Sequence, residues 1–237
     1  MPNAMAGRII TARHGKPNLN RDVMITAREY GDWWARYDES GLAPGEHPPQ
    51  SLVDLASECE VVLCSTLPRA IETADKIVEH ARIVPRNALF VEAPLPPPPV
   101  PWVRLSPTAW GRISRAFWFL GYSPGETESH RGARTRVRRI ADLLMEEAKG
   151  GDDVLLCAHG YLNWMFDNHI RRRGWERIVH EGENDYWSYR AYAKTGSQPQ
   201  AVVDRTDPEA RAELQATGGL PAAARTPAPP SGKPATE

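Results

Sequence analysis

The chain has 237 residues, 41% of them hydrophobic, which is enough for one sizeable packed domain followed by a tail. Its 29 Lys and Arg against 30 Asp and Glu leave a formal net charge of −1. No global field draws such a chain to nucleic acid or an anionic membrane, so an anionic ligand has to be gripped locally. No run reaches the ~18 apolar residues of a membrane span, and the N-terminus lacks the basic and apolar regions of a signal peptide. Cys59, Cys64 and Cys157 form no CxxC pair and leave an odd number, so the expectation is a reduced, cytoplasmic protein.

In chain order, GRII at residues 7–10 is a first strand, followed by Arg13-His14-Gly15. Thr26 and Glu29 form a capping-box pattern opening a helix over residues 26–40. Ser51 is placed to cap a short helix over 51–59. VVLC, 61–64, reads as a buried strand, and Pro68 suits the first turn of a helix over 68–81. ALFVE, 88–92, reads as a further strand, and APLPPPPVPW as a proline-stiffened extended loop of the kind that serves as a lid. Aromatic-rich residues 106–120 read as a helix, and Ala133, Val137, Ile140, Leu144 and Ala148 recur at helical spacing in a long amphipathic helix over about 126–149. DVLLCA, 153–158, is the most strand-like run; a helix follows His159-Gly160, and YWSYRAY, 186–192, supplies a last strand. Strands alternating with helices imply a three-layer α/β/α sandwich with a mostly parallel central sheet, whose ligands gather at the carboxyl ends of the strands. The domain spans 1–194. Residues 195–237, without aromatics and rich in Pro and Ala, read as a mostly disordered tail, with Asp207-Pro208-Glu209 placed to cap one short helix.

Three strand ends carry complementary chemistry. The first runs into Arg13-His14-Gly15, the second into Ser65 and then Arg69 in the first turn of a helix, and the third into His159-Gly160. Arg13 and Arg69 offer planar forks that match a phosphate, and the helix dipole at Arg69 favours an anion. A neutral imidazole can attack phosphorus while a second, protonated one neutralises charge on the oxygens. Gly15 and Gly160 are read as letting the backbone approach a bound oxyanion.

With TARHGKPNLN, CSTLPRAIETA, LFVEAP and LLCAHG in this order, residues 7–192 resemble the histidine phosphatase superfamily, also called the phosphoglycerate-mutase-like family. The resemblance implies that fold and a metal-independent, cofactor-free phosphoric monoester hydrolase of the histidine acid-type class. It makes His14 the nucleophile, with Arg13, Arg69 and His159 binding the phosphoryl group. Asn20 falls at the family's phosphate-contacting asparagine, with Asn18 as a competitor, and Glu92 at its general-acid position. A carboxylic acid there can protonate the leaving alkoxide and afterwards deprotonate the attacking water, helped by a partly dry pocket under the proline loop. The partner is a small phosphoester substrate, with no nucleic acid and no membrane; oligomeric state is open.

The segment after Glu92 departs from the family, which commonly continues into a glycine-containing stretch with another acidic residue. Its nearest cation is Arg104, which lowers the reading as a phosphoglycerate-type mutase; a noncatalytic phospholigand-binding protein is the other alternative. Trp102, Trp110, Phe117, Trp118 and Phe119 are either ordinary core or an apolar wall for a substrate. A metal site from Cys64, Cys157, His14 and His159 lacks closely paired ligands. RGARTRVRR, 131–139, and Arg171-Arg172-Arg173 read as solvated arginines without aromatic interleaving.

Overall fold

The computed structural model describes residues 6–78, 84–100 and 102–196. Its elements are β1 (Ile9–Arg13), α1 (Ala27–Glu39), α2 (Gln50–Ser57), β2 (Val61–Ser65), α3 (Pro68–Ile77), β3 (Arg86–Asn87), α4 (Pro107–Phe119), α5 (His130–Glu147), β4 (Val154–Ala158), α6 (Gly160–Ile170), β5 (Trp175–Glu181) and β6 (Tyr189–Lys194). They form a sheet of order β3-β2-β4-β1-β6-β5. The first four strands pair in parallel, and β6 runs antiparallel to both its neighbours, so β6 alone is reversed. The sheet is mostly parallel, as the alternation of strands and helices implies.

The layers follow from the two-residue period of the central strands. Ile9, Val154, Leu156 and Ala158 share one face with Val137, Ile140 and Leu144 of α5 and Leu162 and Phe166 of α6. Their sequence neighbours Ile10, Ala12, Leu155 and Cys157 share the other with Leu52 and Leu55 of α2 and Ala74 and Ile77 of α3. A strand covered on both sides has to be apolar throughout, and all of VLLCA is buried. Truncating Leu156 to Ala would cost about 2–5 kcal/mol, because neither helix layer can close onto the gap.

A third apolar cluster joins α1 to α4. Tyr30, Trp33 and Tyr37, at helical spacing, pack with Trp110, whose indole N–H donates to the Ile25 carbonyl at 2.7 Å. The buried stripe of α4 runs Trp110, Ser114, Trp118, each four residues apart. Trp110 serves this cluster, while Trp118 reaches the core on the α5–α6 face.

Several local expectations are corrected. The capping box of Thr26 and Glu29 is present, but Ser51 lies inside α2, which starts after Pro49 without a side-chain cap. ALFVE is not a strand: β3 is only Arg86–Asn87, and Ala88–Phe90 form a 3₁₀ turn capped by Asn87. The long helix begins at His130, where Ser129 caps it, rather than near 126. The last strand is Tyr189–Lys194, and β5 was not expected, because its burial is uneven and it lacks a clean apolar pattern. Ile77 ends α3, and the remainder of the expected helix, including His80, lies outside the described residues, as does the tail from 197 with Asp207-Pro208-Glu209. No helix among the described residues is long and apolar enough to cross a membrane.

Candidate active site

The carboxyl ends of β1, β2 and β4 lie side by side, since β4 pairs with both other strands. This brings His14, Ser65 and His159 together from residues far apart in sequence. The imidazoles of His14 and His159 stand 5.2 Å apart between centroids, and both are buried. Arg69 joins them from the first turn of α3, with no exposed surface.

The tautomer of His14 is fixed from both sides. Its Nδ1 lies 2.7 Å from the Gly15 carbonyl oxygen, which can only accept, so Nδ1 carries the proton. Its Nε2 lies 3.3 Å from Nε of Arg69, which can only donate, so Nε2 presents a lone pair. Burial first, and then the charges of Arg69 and Arg13, hold the imidazole well below the usual histidine range. His14 is therefore a neutral base with its free nitrogen aimed at a cation. His159 is held low by the same causes, burial first and Arg69 next. In the free protein it is neutral too, not the protonated partner expected from sequence. Its Nε2 meets Ser65 Oγ at 2.9 Å, and its Nδ1 is buried without a hydrogen-bond partner.

Packing gives the two glycines a purpose of their own. A Cβ on Gly15 would fall 2.2 Å from Cζ2 of Trp187, and one on Gly160 would fall 3.0 Å from Nε of Arg13. Gly15 makes room for an indole and Gly160 for the guanidinium of Arg13. The Gly15 N–H also donates to Thr73 Oγ1 at 3.0 Å, and that hydroxyl donates to the Arg69 carbonyl at 2.7 Å, tying the His14 loop to α3.

Arg69 is oriented by the Tyr37 carbonyl at 2.8 Å and by Asp38 at 3.0 Å, and lies over the Tyr37 ring at 4.3 Å. Arg13 lies 4.5 Å over the Tyr186 ring and donates to the Asn184 carbonyl, while its Nε is buried and unpartnered. Buried donors without partners are groups that a bound anion would satisfy.

Glu92 sits at the N-terminus of α6, not at a strand end. Its carboxylate accepts from the backbone N–H groups of Ala93 at 2.9 Å, Leu162 at 3.0 Å and Tyr161 at 3.1 Å. The proline loop flanks it as well, Pro94, Leu95, Pro96 and Pro97 lining a smaller cavity of about 410 Å³ with Glu92. That loop also contributes Leu95 to the cavity of His14, and its Ala93 and Pro94 carbonyls accept from Arg115.

His14, Arg13, Arg69 and Glu92 line one cavity of about 540 Å³, a size that suits a small metabolite. Asn20 and Asn18 do not line it. Both are exposed, and the Asn20 side chain turns back to the N–H of Asp22 at 2.8 Å. The next residue, Arg21, takes the place expected for Asn20: it lines the cavity, bonds the Tyr186 hydroxyl, and has a buried, unpartnered Nε. Arg104 instead pairs with Glu29 and the Met24 carbonyl. The cavity's further cations are Arg112 and Arg115 of α4, with Arg115 3.6 Å over the Tyr161 ring. Their three-residue spacing was a usable signal, since it sets both on one helix face beside the buried Trp110 stripe. Trp110 and Trp118 are core, Trp102 is exposed, and the cavity's aromatic wall comes from Tyr30, Trp34, Tyr37, Tyr161 and Trp164 instead. Cys64 and Cys157 are register partners inside the sheet, buried free thiols that burial pushes up, to about 11 for Cys64.

Similar chains have been solved. The chain is similar to a mycobacterial glucosyl-3-phosphoglycerate phosphatase, 20% identical with a TM-score of 0.47 over 70% of this chain and 80% of that one. It is similar to a phosphoserine phosphatase from Entamoeba histolytica in complex with 3-phosphoglyceric acid, 19% identical with a TM-score of 0.46 over 70% and 80%. A phosphoglycerate mutase from Bacillus anthracis is 17% identical with a TM-score of 0.45 over 81% and 90%. These neighbours are phosphoglycerate-mutase-like histidine phosphatases, the family that the sequence motifs resemble. No family model and no curated protein matches the chain.

Proposed function

We propose that the chain hydrolyses a small phosphomonoester in two steps through a phosphohistidine on Nε2 of His14. The observation that carries this reading is the two-sided fixation of the His14 tautomer, because it leaves one unprotonated, buried nitrogen beside an arginine in a ligand-sized cavity. In the first step Nε2 attacks phosphorus and the P–O ester bond breaks. Arg13, Arg69, Arg21 and His159 stabilise the charge on the phosphoryl oxygens. Burial first and the nearby cations second keep His159 neutral, and an arriving phosphate dianion opposes both, which favours its taking up a proton and donating. The leaving alkoxide takes its proton from Glu92. In the second step Glu92 takes a proton from water, the water oxygen attacks phosphorus, and the P–N bond breaks to return neutral His14 and inorganic phosphate. The N–H donors around Glu92 support its role as an acceptor in this second step.

Arg112 and Arg115 favour a second reading of the same site. Further cations on the wall of the same cavity suit a substrate with a second anionic group, which also keeps a phosphoglycerate-type phosphomutase in view. The deciding experiment is hydrolysis of p-nitrophenyl phosphate in excess chelator by wild type and His14→Ala, followed by acid-labile labelling of the protein with ³²P. Chelator-resistant activity and label, both lost with His14, are expected. Activity abolished by chelator, or label that survives in His14→Ala, would overturn the mechanism. Inert protein towards a broad phosphoester panel would leave a phospholigand-binding role.

A further inference from the structure

The arginine run 131–139 reads in sequence as a solvated helix face with no aromatic partners. The fold supplies those partners from other elements. Between α5 and α6 lies a second cavity of about 510 Å³, lined by Arg134 and Arg138 of α5, Trp164 of α6, Arg172 just beyond it, and Phe119 at the end of α4. No acidic residue lines it. Neighbouring Arg136 and Arg173 are paired with Glu128 and Asp142. Among the described residues Arg134, Arg138 and Arg172 have no such carboxylate, so three cations converge on one groove unneutralised. The groove is also unusually aromatic for a surface: Phe119 is 45% exposed and Trp164 43%. Exposed rings beside unpaired guanidinium groups match a ligand that is planar at one end and multiply anionic at the other.

We propose that this groove binds a nucleoside diphosphate or triphosphate, with the base against Phe119 and Trp164 and the phosphates on Arg134, Arg138 and Arg172. The cavity has room for one nucleotide and not for a helical nucleic acid. The site is distinct from the cavity of His14, although Trp164 forms part of the wall of both. It does not depend on the hydrolase reading.

The test is calorimetric titration of the full chain with α,β-methylene adenosine diphosphate, whose bridging P–C bond resists hydrolysis. One site per chain with a micromolar Kd is expected, weakening about tenfold or more in Arg134→Glu/Arg138→Glu and severalfold in Phe119→Ala, with p-nitrophenyl phosphate hydrolysis unchanged in both. Methylenediphosphonate, which lacks the base, should bind clearly less tightly than the nucleotide. The proposal is overturned by absence of binding, by affinity that the double charge reversal leaves unchanged, which would put the nucleotide in the His14 cavity, or by equal binding of methylenediphosphonate, which would reduce the groove to an anion patch. All three arginines are exposed, so the variants should keep the fold. If circular dichroism shows the double variant unfolded, Arg172→Glu, outside both helices, gives the same readout.

Discussion

Replacing Gly15 by Ala tests how His14 is held. The added Cβ would stand 2.2 Å from Cζ2 and 2.4 Å from Cε2 of Trp187, more than an ångström inside ordinary contact. The indole has little freedom to retreat. It is 8% exposed, its N–H donates to Glu46 at 2.7 Å, and its backbone sits at φ 65°, a region unfavourable for a bulky residue. The overlap therefore costs at the upper end of the overpacking range, about 3 kcal/mol, and shifts the carbonyl that holds Nδ1 of His14. A displacement of that kind should lower kcat/KM for p-nitrophenyl phosphate by about a hundredfold. Trp187→Gly removes the ring and the backbone strain together, at a cost of its own of about 3–5 kcal/mol. If steric overlap is the cause, Gly15→Ala adds nothing on top of Trp187→Gly, and the coupling in a double-mutant cycle equals the full cost of Gly15→Ala. Urea unfolding of the four proteins measures this. Additive losses, or a Gly15→Ala protein as stable and active as wild type, would refute the argument.

Stability should fall with acid in a way that the two buried histidines set. Burial, Arg69 and Arg13 lower both in the folded state, so their contribution is complete above the unfolded value of about 6.5 and is lost as pH falls towards the folded values. Up to two protons taken up on unfolding steepen the loss of stability below pH 6, by about 1 kcal/mol per pH unit for each histidine, and His14→Asn should remove one of the two contributions; a slope unchanged in that variant would show that His14 is not buried as a neutral base. Asp38→Ala removes a carboxylate 3.0 Å from the wholly buried Arg69 and should cost about 1–3 kcal/mol in urea unfolding, reduced by added orthophosphate. Glu92→Gln should slow an alkyl phosphate by about a hundredfold and p-nitrophenyl phosphate much less, since the nitrophenolate leaves without a proton; equal losses on the two esters would remove Glu92 as the acid.

The reach of the sequence differs from element to element. VLLCA and VVLC are continuous apolar runs, as strands covered by helices on both faces are, and these pointed to the parallel, helix-covered sheet. That His14 after β1, Arg69 in the first turn of α3 and His159 after β4 would lie near one another was legible because strand ends in such a sheet are where loops and helix N-termini converge. The cap of α1 was equally legible, being a local hydrogen-bond pattern. Elements held by partners rather than by their own pattern were not: β5, an edge strand of uneven burial, and the 3₁₀ turn before Glu92, where a strand had been read.

Which other side chains join His14, Arg13, Arg69 and Glu92 in the cavity was decided by the tertiary structure. Nothing local distinguishes Asn20 from Arg21, yet the chain turns Asn20 onto the N–H of Asp22 and Arg21 towards Tyr186. Arg112 and Arg115 of α4 line the cavity beside the buried stripe of that helix, whose Trp110 and Trp118 are committed to two different cores. The neutrality of His14 and His159 is likewise a property of packing, since only burial beside two arginines makes the charged imidazole costly. Sequence determined the framework and the chemical groups at three strand ends, because periodicity and caps are local. Folding decided protonation, orientation and the remaining wall of the site, because these depend on contacts between residues as distant as Arg13 and Asn184.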